Sequence, residues 1–179
     1  MDAKTLLTIE QFDQLPREKE FLYELSEGEA VISPAPALRH DLVRQNVFDC
    51  LTNFVEARSL GWATIRLGYQ LSADTVRIPD VSFLPAERLR GLDPESRVKA
   101  APALAIEIVS NADRAQDIRQ RVDQYLAAGA HAVWVFYPKI RVVDVSHASR
   151  SGSFAREGEK LEEPELFPGF SLELKLVFE

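Results

Sequence analysis

A short apolar run, Ala103-Leu104-Ala105-Ile106-Glu107-Ile108-Val109, has the length and composition of a buried strand. Behind it, Asp113 to Ala128 repeats Ile118, Val122, Tyr125 and Leu126 along one side of a helix, with Gly129 as its C-terminal stop. Two further runs, Ala132 to Tyr137 and Arg141 to Ser146, read as strands turning at Pro138 and Lys139. Strand, amphipathic helix and strand in this order point to an α/β architecture, and a single domain with a mixed sheet is the simplest form of it.

The rest of the chain fits that frame. Thr8 to Leu15 reads as a short helix, with Thr8 as cap and Gln11 at the capping-box position. Phe21 to Leu25 and Glu29 to Ser33 flank Ser26-Glu27-Gly28, a hairpin signal. Arg39 to Arg58 is the longest helical pattern, with Leu42, Val43, Val47, Leu51, Phe54 and Val55 on its apolar side and Gly61 as its stop. Trp62 to Leu71 and Val76 to Leu84 read as two strands joined by a tight turn at Ser72 to Thr75. A polar stretch from Pro85 to Pro102 has room for one helical turn, and the tail from Ser153 reads as short strands and loops.

With 179 residues, 46% apolar and 27% charged, the chain can bury a sizeable core as one domain spanning residues 1–179. No apolar run is long enough to cross a bilayer. Met1 to Gln14 lacks the features of a secretory signal, so a cytoplasmic location is expected. The lone Cys50 excludes an internal disulfide framework and a Cys-based zinc site, and is expected in the core. Trp62, Tyr125 and Trp134 are expected there too. Nothing in the spacing resembles a Walker loop, a dinucleotide fingerprint, a nucleophile elbow or a zinc-ligand cluster. A net charge of −7 argues against a broadly basic nucleic-acid binder. Local basic clusters remain, Arg114 with Arg119 and Arg121, and Arg39 with Arg44.

Two acids stand where strand propensity opposes them: Asp80, within Val76 to Leu84, and Glu107, within Ala103 to Val109. An unpaired buried carboxylate costs several kcal/mol or keeps its proton. Each acid can be explained by a strand edge or an arginine partner. Taken together they favour a shared divalent ion, and oxygen-only ligation suits Mg²⁺ or Mn²⁺.

The order of motifs resembles a known family. Tyr23-Glu24-Leu25-Ser26-Glu27-Gly28-Glu29 is followed by Ser33-Pro34-Ala35-Pro36 and His40, then Pro79-Asp80-Val81, then Ile106-Glu107-Ile108-Val109-Ser110. Asp117, Tyr125, Gly129 and Val133-Trp134-Val135-Phe136-Tyr137-Pro138 complete the series. It resembles the Uma-type family of endonucleases, within the PD-(D/E)xK superfamily, from about Thr8 to Phe170. The resemblance implies a restriction-endonuclease-like core, a mixed central sheet flanked by α-helices. It implies that Asp80 and Glu107 hold Mg²⁺, that Glu24 is a further acid near the site, and that His40 matches a family histidine. His40 can equally be a helix-start residue bonded to the preceding loop.

Two positions depart from the superfamily pattern. The residue two after the second acid, where lysine is expected, is Val109. The Uma-type lysine comes instead four residues after the helix Asp, which is Arg121 here, counted from Asp117. Arginine keeps a positive charge beside a phosphate but cannot serve as a base. On a solvated helix face it would merely pair with Asp117. The expected activity is Mg²⁺-dependent hydrolysis of phosphodiester bonds in DNA, with Asp80, Glu107, Arg121 and Glu24 as catalytic residues, in a homodimer. Arg121 weakens or abolishes it. The alternatives are a non-cleaving nucleic-acid or protein-binding module on the same fold, or a hydrolase of smaller phosphate esters.

Overall fold

The computed structural model describes residues 6–149 and 151–179. The first five residues of the segment expected to lack a secretory signal lie outside that description. Helix α1 (Ile9–Asp13) starts at Thr8 with the predicted capping box: Gln11 N donates to Thr8 Oγ1 at 3.2 Å and Thr8 N to Gln11 Oε1 at 2.9 Å. Its Phe12 packs on the hairpin of β1 (Phe21–Ser26) and β2 (Glu29–Pro34), closed in the register Ser26↔Glu29. Helix α2 (Leu38–Ala57) buries Val43, Val47, Leu51 and Val55, a stripe at every fourth residue. Leu42 and Cys50 fall off that stripe and are exposed, so the expectation of a core Cys50 fails.

The two strands expected next are four. β3 (Gly61–Ile65) and β4 (Tyr69–Gln70) are parted by Arg66, whose φ of 52° turns the chain. β5 (Val76–Arg77) and β6 (Val81–Pro85) are parted by Pro79, which can donate no ladder hydrogen bond. β4 and β5 join the hairpin in a small sheet ordered β2-β1-β5-β4. β3 and β6 belong to the central sheet. Asp80 therefore lies between strands, where the chain crosses from one sheet to the other.

Helix α3 (Ala86–Leu89) is the single turn of the polar stretch. Then β7 (Leu104–Ile108), α4 (Ala115–Ala127) and β8 (Ala132–Tyr137) form the strand–helix–strand unit, with β7 and β8 parallel. β9 (Val142–His147) and β10 (Gly152–Arg156) complete the central sheet in the order β10-β9-β8-β7-β6-β3, with every other pair antiparallel. The fold is thus an α/β mixed sheet with α2 on one face and α4 on the other.

The tail holds more structure than expected: β11 (Lys160–Leu161), β12 (Leu172–Glu173) and α5 (Leu174–Phe178). Its Phe167, Phe170, Leu172, Leu174 and Val177 fill the core on the α2 side with Phe83, Leu104, Ile106 and Trp134. The other face packs Ala105, Val133 and Val135 against Ile118, Val122 and Tyr125 of α4. Trp62, expected in the core, is 50% exposed on the edge strand β3.

Candidate active site

Alternation along β7 sends Leu104, Ile106 and Ile108 toward α2 and leaves Ala105 and Glu107 on the α4 face. Glu107 is buried there. Tyr125, in the last turn of α4, donates its hydroxyl to Glu107 Oε1 at 2.8 Å. One turn earlier Arg121 places Nη1 3.5 Å from Glu107 Oε2. The expected packing role of Tyr125 holds, and its hydroxyl adds a polar one.

Arg121 is not on a solvated face. Its side chain is 13% exposed and its ion pairs run to Asp113, Glu107 and Glu24 instead of Asp117. Nη1 donates to Asp113 Oδ1 at 3.2 Å, and Nη2 lies 3.6 Å from Glu24 Oε2. Asp113, placed by sequence at the helix start, is fixed by Ser110 N donating to Oδ2 at 2.7 Å. Burial works against the Arg121 charge, but Glu107, Glu24 and Asp113 outweigh it and raise its pKa further.

Glu24 comes from the small sheet. Its Oε1 accepts from Ile78 N at 2.8 Å, and its Oε2 from Arg77 Nη1 at 3.2 Å. Arg77 is buried and also donates to Ser26 Oγ and to Gln124 Oε1 of α4, each at 2.8 Å. Sequence reasoning missed Arg77. The signal was available, a charge inside Val76-Arg77-Ile78, the same oddity that singled out Asp80.

Asp80 reaches the site from the crossing segment. Its Oδ2 accepts from Ile108 N at 2.9 Å and lies 3.2 Å from His40 Nε2 on α2. His40 is buried and held by Asp80, which departs from the loop-bonded alternative. Glu24, His40, Asp80, Glu107, Asp113 and Arg121 all line one cleft of about 680 Å³ between the two sheets. Arg119 points elsewhere, toward Asp123 and a second cleft, so the expected cluster of Arg114, Arg119 and Arg121 is divided.

The Glu107 carboxyl is pushed up to about 8, chiefly by burial; Arg121 pulls against that, Asp80 and Glu24 add to it, and the Tyr125 hydroxyl lowers it. Four carboxyl groups, Glu24, Asp80, Glu107 and Asp113, meet only two guanidinium groups, Arg77 and Arg121, in this part of the cleft. Such a deficit, with oxygen donors on Asp80 and Glu107, fits a hard divalent cation held by two carboxylates. Among the described residues, the three ligand atoms that come within 4.8 Å of one another lie outside this cleft, so water and substrate would fill the remaining positions around such an ion.

The family model described as "Uma2: Putative restriction endonuclease" matches residues 9–175. The fold is also that of a crystal structure described as a "putative nuclease belonging to DUF820" from Anabaena variabilis. The two share 19% identity and a TM-score of 0.85, over 96% of this chain and 97% of that one. No curated protein matches the chain.

Proposed function

The chain belongs to the Uma2 family of restriction-endonuclease-like proteins, whose model spans nearly all of it, and from that premise we propose that it is a divalent-metal-dependent endonuclease acting on DNA. The observation that carries this reading is Glu107, a buried carboxyl with its pKa at about 8, beside Asp80 in an open cleft. Bound between these acids, Mg²⁺ or Mn²⁺ would polarise the scissile phosphate and lower the pKa of a water.

The chain's own groups have separable parts. His40 and Ile108 N hold the Asp80 carboxylate, both through Oδ2. Tyr125 fixes the orientation of Glu107; burial above all keeps its phenol protonated, so it stays a donor. Arg121 ties β1, β7 and the loop before α4 together through Glu24, Glu107 and Asp113, and sets positive charge at the cleft wall. It can steady an anionic phosphate but cannot take a proton from water. Cutting both strands needs two such sites, which a homodimer would supply.

The test is plasmid nicking in Mg²⁺ and in Mn²⁺, run beside Asp80→Asn and Glu107→Gln. Metal-dependent nicking by the parent, lost in both variants, is the expected result. A second reading rests on Arg121, engaged by three carboxylates: the fold binds nucleic acid or protein without cleaving. Metal-dependent duplex binding with no nicking at all would favour it over the first.

A further inference from the structure

Three side chains that play no part in the cleft converge at the other end of the central sheet. His131 immediately precedes β8, His147 closes β9, and Glu163 lies between β11 and β12. The antiparallel register sets Ala132 opposite His147, which brings the imidazoles together with ring centroids 5.9 Å apart. Glu163 sits beneath both, its side chain only 2% exposed. Its Oε2 lies 2.9 Å from His147 Nε2 and its Oε1 3.7 Å from His131 Nε2. One ligand atom from each of the three falls within 4.8 Å of the other two. Glu165 adds a carboxylate oxygen 3.3 Å from His131 Nε2.

His131 Nε2 is the telling atom. It is buried, two carboxylates flank it, and neither makes a hydrogen bond with it. A buried ring nitrogen without a hydrogen bond calls for an explanation. A metal ion satisfies a nitrogen lone pair in that setting, and three residues of types that bind zinc surround the same point.

We propose that His131, His147 and Glu163, completed by Glu165, bind one zinc-class divalent ion as a structural clasp. Imidazole nitrogens select a borderline cation such as Zn²⁺ over Mg²⁺, whereas Asp80 and Glu107 offer oxygen alone. The two sites are separate. In the parallel register Leu104 pairs with Ala132 and Glu107 with Val135, so the clasp lies roughly 13 Å back along β8 at about 3.3 Å per residue. Four protein ligands close the coordination shell, which marks a structural site. The ion would join the end of the β8–β9 ladder to the segment that leads into Phe167 and Phe170. Glu163 already steadies that segment by accepting from Phe167 N at 2.7 Å through its carbonyl oxygen.

The experiment titrates Zn²⁺ into metal-free protein by calorimetry and follows Co²⁺ substitution by visible absorption. It compares the parent with His131→Gln/His147→Gln and with Asp80→Asn/Glu107→Gln. The two histidine side chains are 32% and 24% exposed, so that variant is expected to fold, and circular dichroism checks it. The expected result is one Zn²⁺ per chain in the parent and in the cleft variant, and loss of that ion in the histidine variant. The Tm of the parent should rise with Zn²⁺ and not with Mg²⁺. Were the histidine variant not to fold, Glu165→Gln, at an exposed ligand, serves as the second test and should weaken Zn²⁺ binding. No saturable Zn²⁺ in the parent, binding unchanged by the substitutions tested, or binding lost only in the cleft variant would each overturn the clasp.

Discussion

Glu107 and Arg121 show how one buried charge sets the state of another. Folding raises the Glu107 pKa from 4.5 to about 8, chiefly by burial. Between those values the folded chain holds a proton that the unfolded chain has released. Stability from this group is therefore complete below about pH 4.5 and is lost as pH rises through about 8. Urea unfolding without metal should show the parent losing on the order of 3 kcal/mol between about pH 5.5 and about pH 8.5. Glu107→Gln should lack that loss. A cation must displace the same proton, so Mn²⁺ affinity should climb with pH to about 8 and then level off. For Arg121, replacement by lysine frees a group that can share a proton with water. Arg121→Lys should raise metal-dependent nicking by about 10²-fold, the lower end of acid–base effects. Equal rates for the two proteins would assign the position a role in charge alone.

Among the elements, the junction of α2 with β3 departs most from its local signal. Gly61 reads as a helix stop, but α2 ends at Ala57 with Arg58 as its cap, and Ser59 makes the turn at a φ of 53°. Gly61 begins β3 instead, at a φ of 155° and pressed against β6. A Cβ there would overlap the Leu84 carbonyl oxygen and come within 2.8 Å of Pro85 Cα, both backbone atoms. Gly61→Ala should cost about 3 kcal/mol, read as a lower urea midpoint with an unchanged m-value. Gly129, by contrast, is the stop its position predicts. At a φ of 98° it ends α4, and its N–H donates to Leu126 O at 3.1 Å.

Across the whole molecule, electrostatics set the terms for the proposed DNA substrate. The net charge is −7. The cleft itself is lined by eight Asp and Glu residues against four Lys and Arg. A phosphate entering without a divalent ion meets net repulsion. Duplex binding should therefore need a divalent ion, supplied as Ca²⁺ so that no cleavage intervenes, stay near the roughly 10⁻⁴–10⁻⁶ M non-specific range, and weaken only shallowly with salt. Arg66 lines the cleft and Arg119 does not. Arg66→Glu should reduce binding to a labelled duplex in fluorescence anisotropy, and Arg119→Glu should leave it unchanged. Loss of binding in Arg119→Glu alone would move the interface to the outer face of α4.

Local chemistry made much of this protein legible from the residues alone. Capping residues, turn signals and apolar periodicity act within a few positions, so α1, the hairpin, α2, α4, β7 and β8 were readable to within a residue or two. The misfit of Asp80 and Glu107 was equally local, a charge where a strand wants none. Partnership is not local, and only the tertiary structure decided it. The crossing at Pro79 assigns β5 and β6 to different sheets. That crossing leaves Asp80 between strands and aims Glu24 and Glu107 at the same arginine. Arg121 looked like one half of an i,i+4 pair because helical spacing is all that sequence shows. Packing turned it inward to three carboxylates from three elements. The high pKa of Glu107, the exposure of Cys50 and the meeting of His131, His147 and Glu163 arise the same way. Each depends on which surfaces the fold presses together, and burial changes the energy of a charge far more than its neighbours in the chain do.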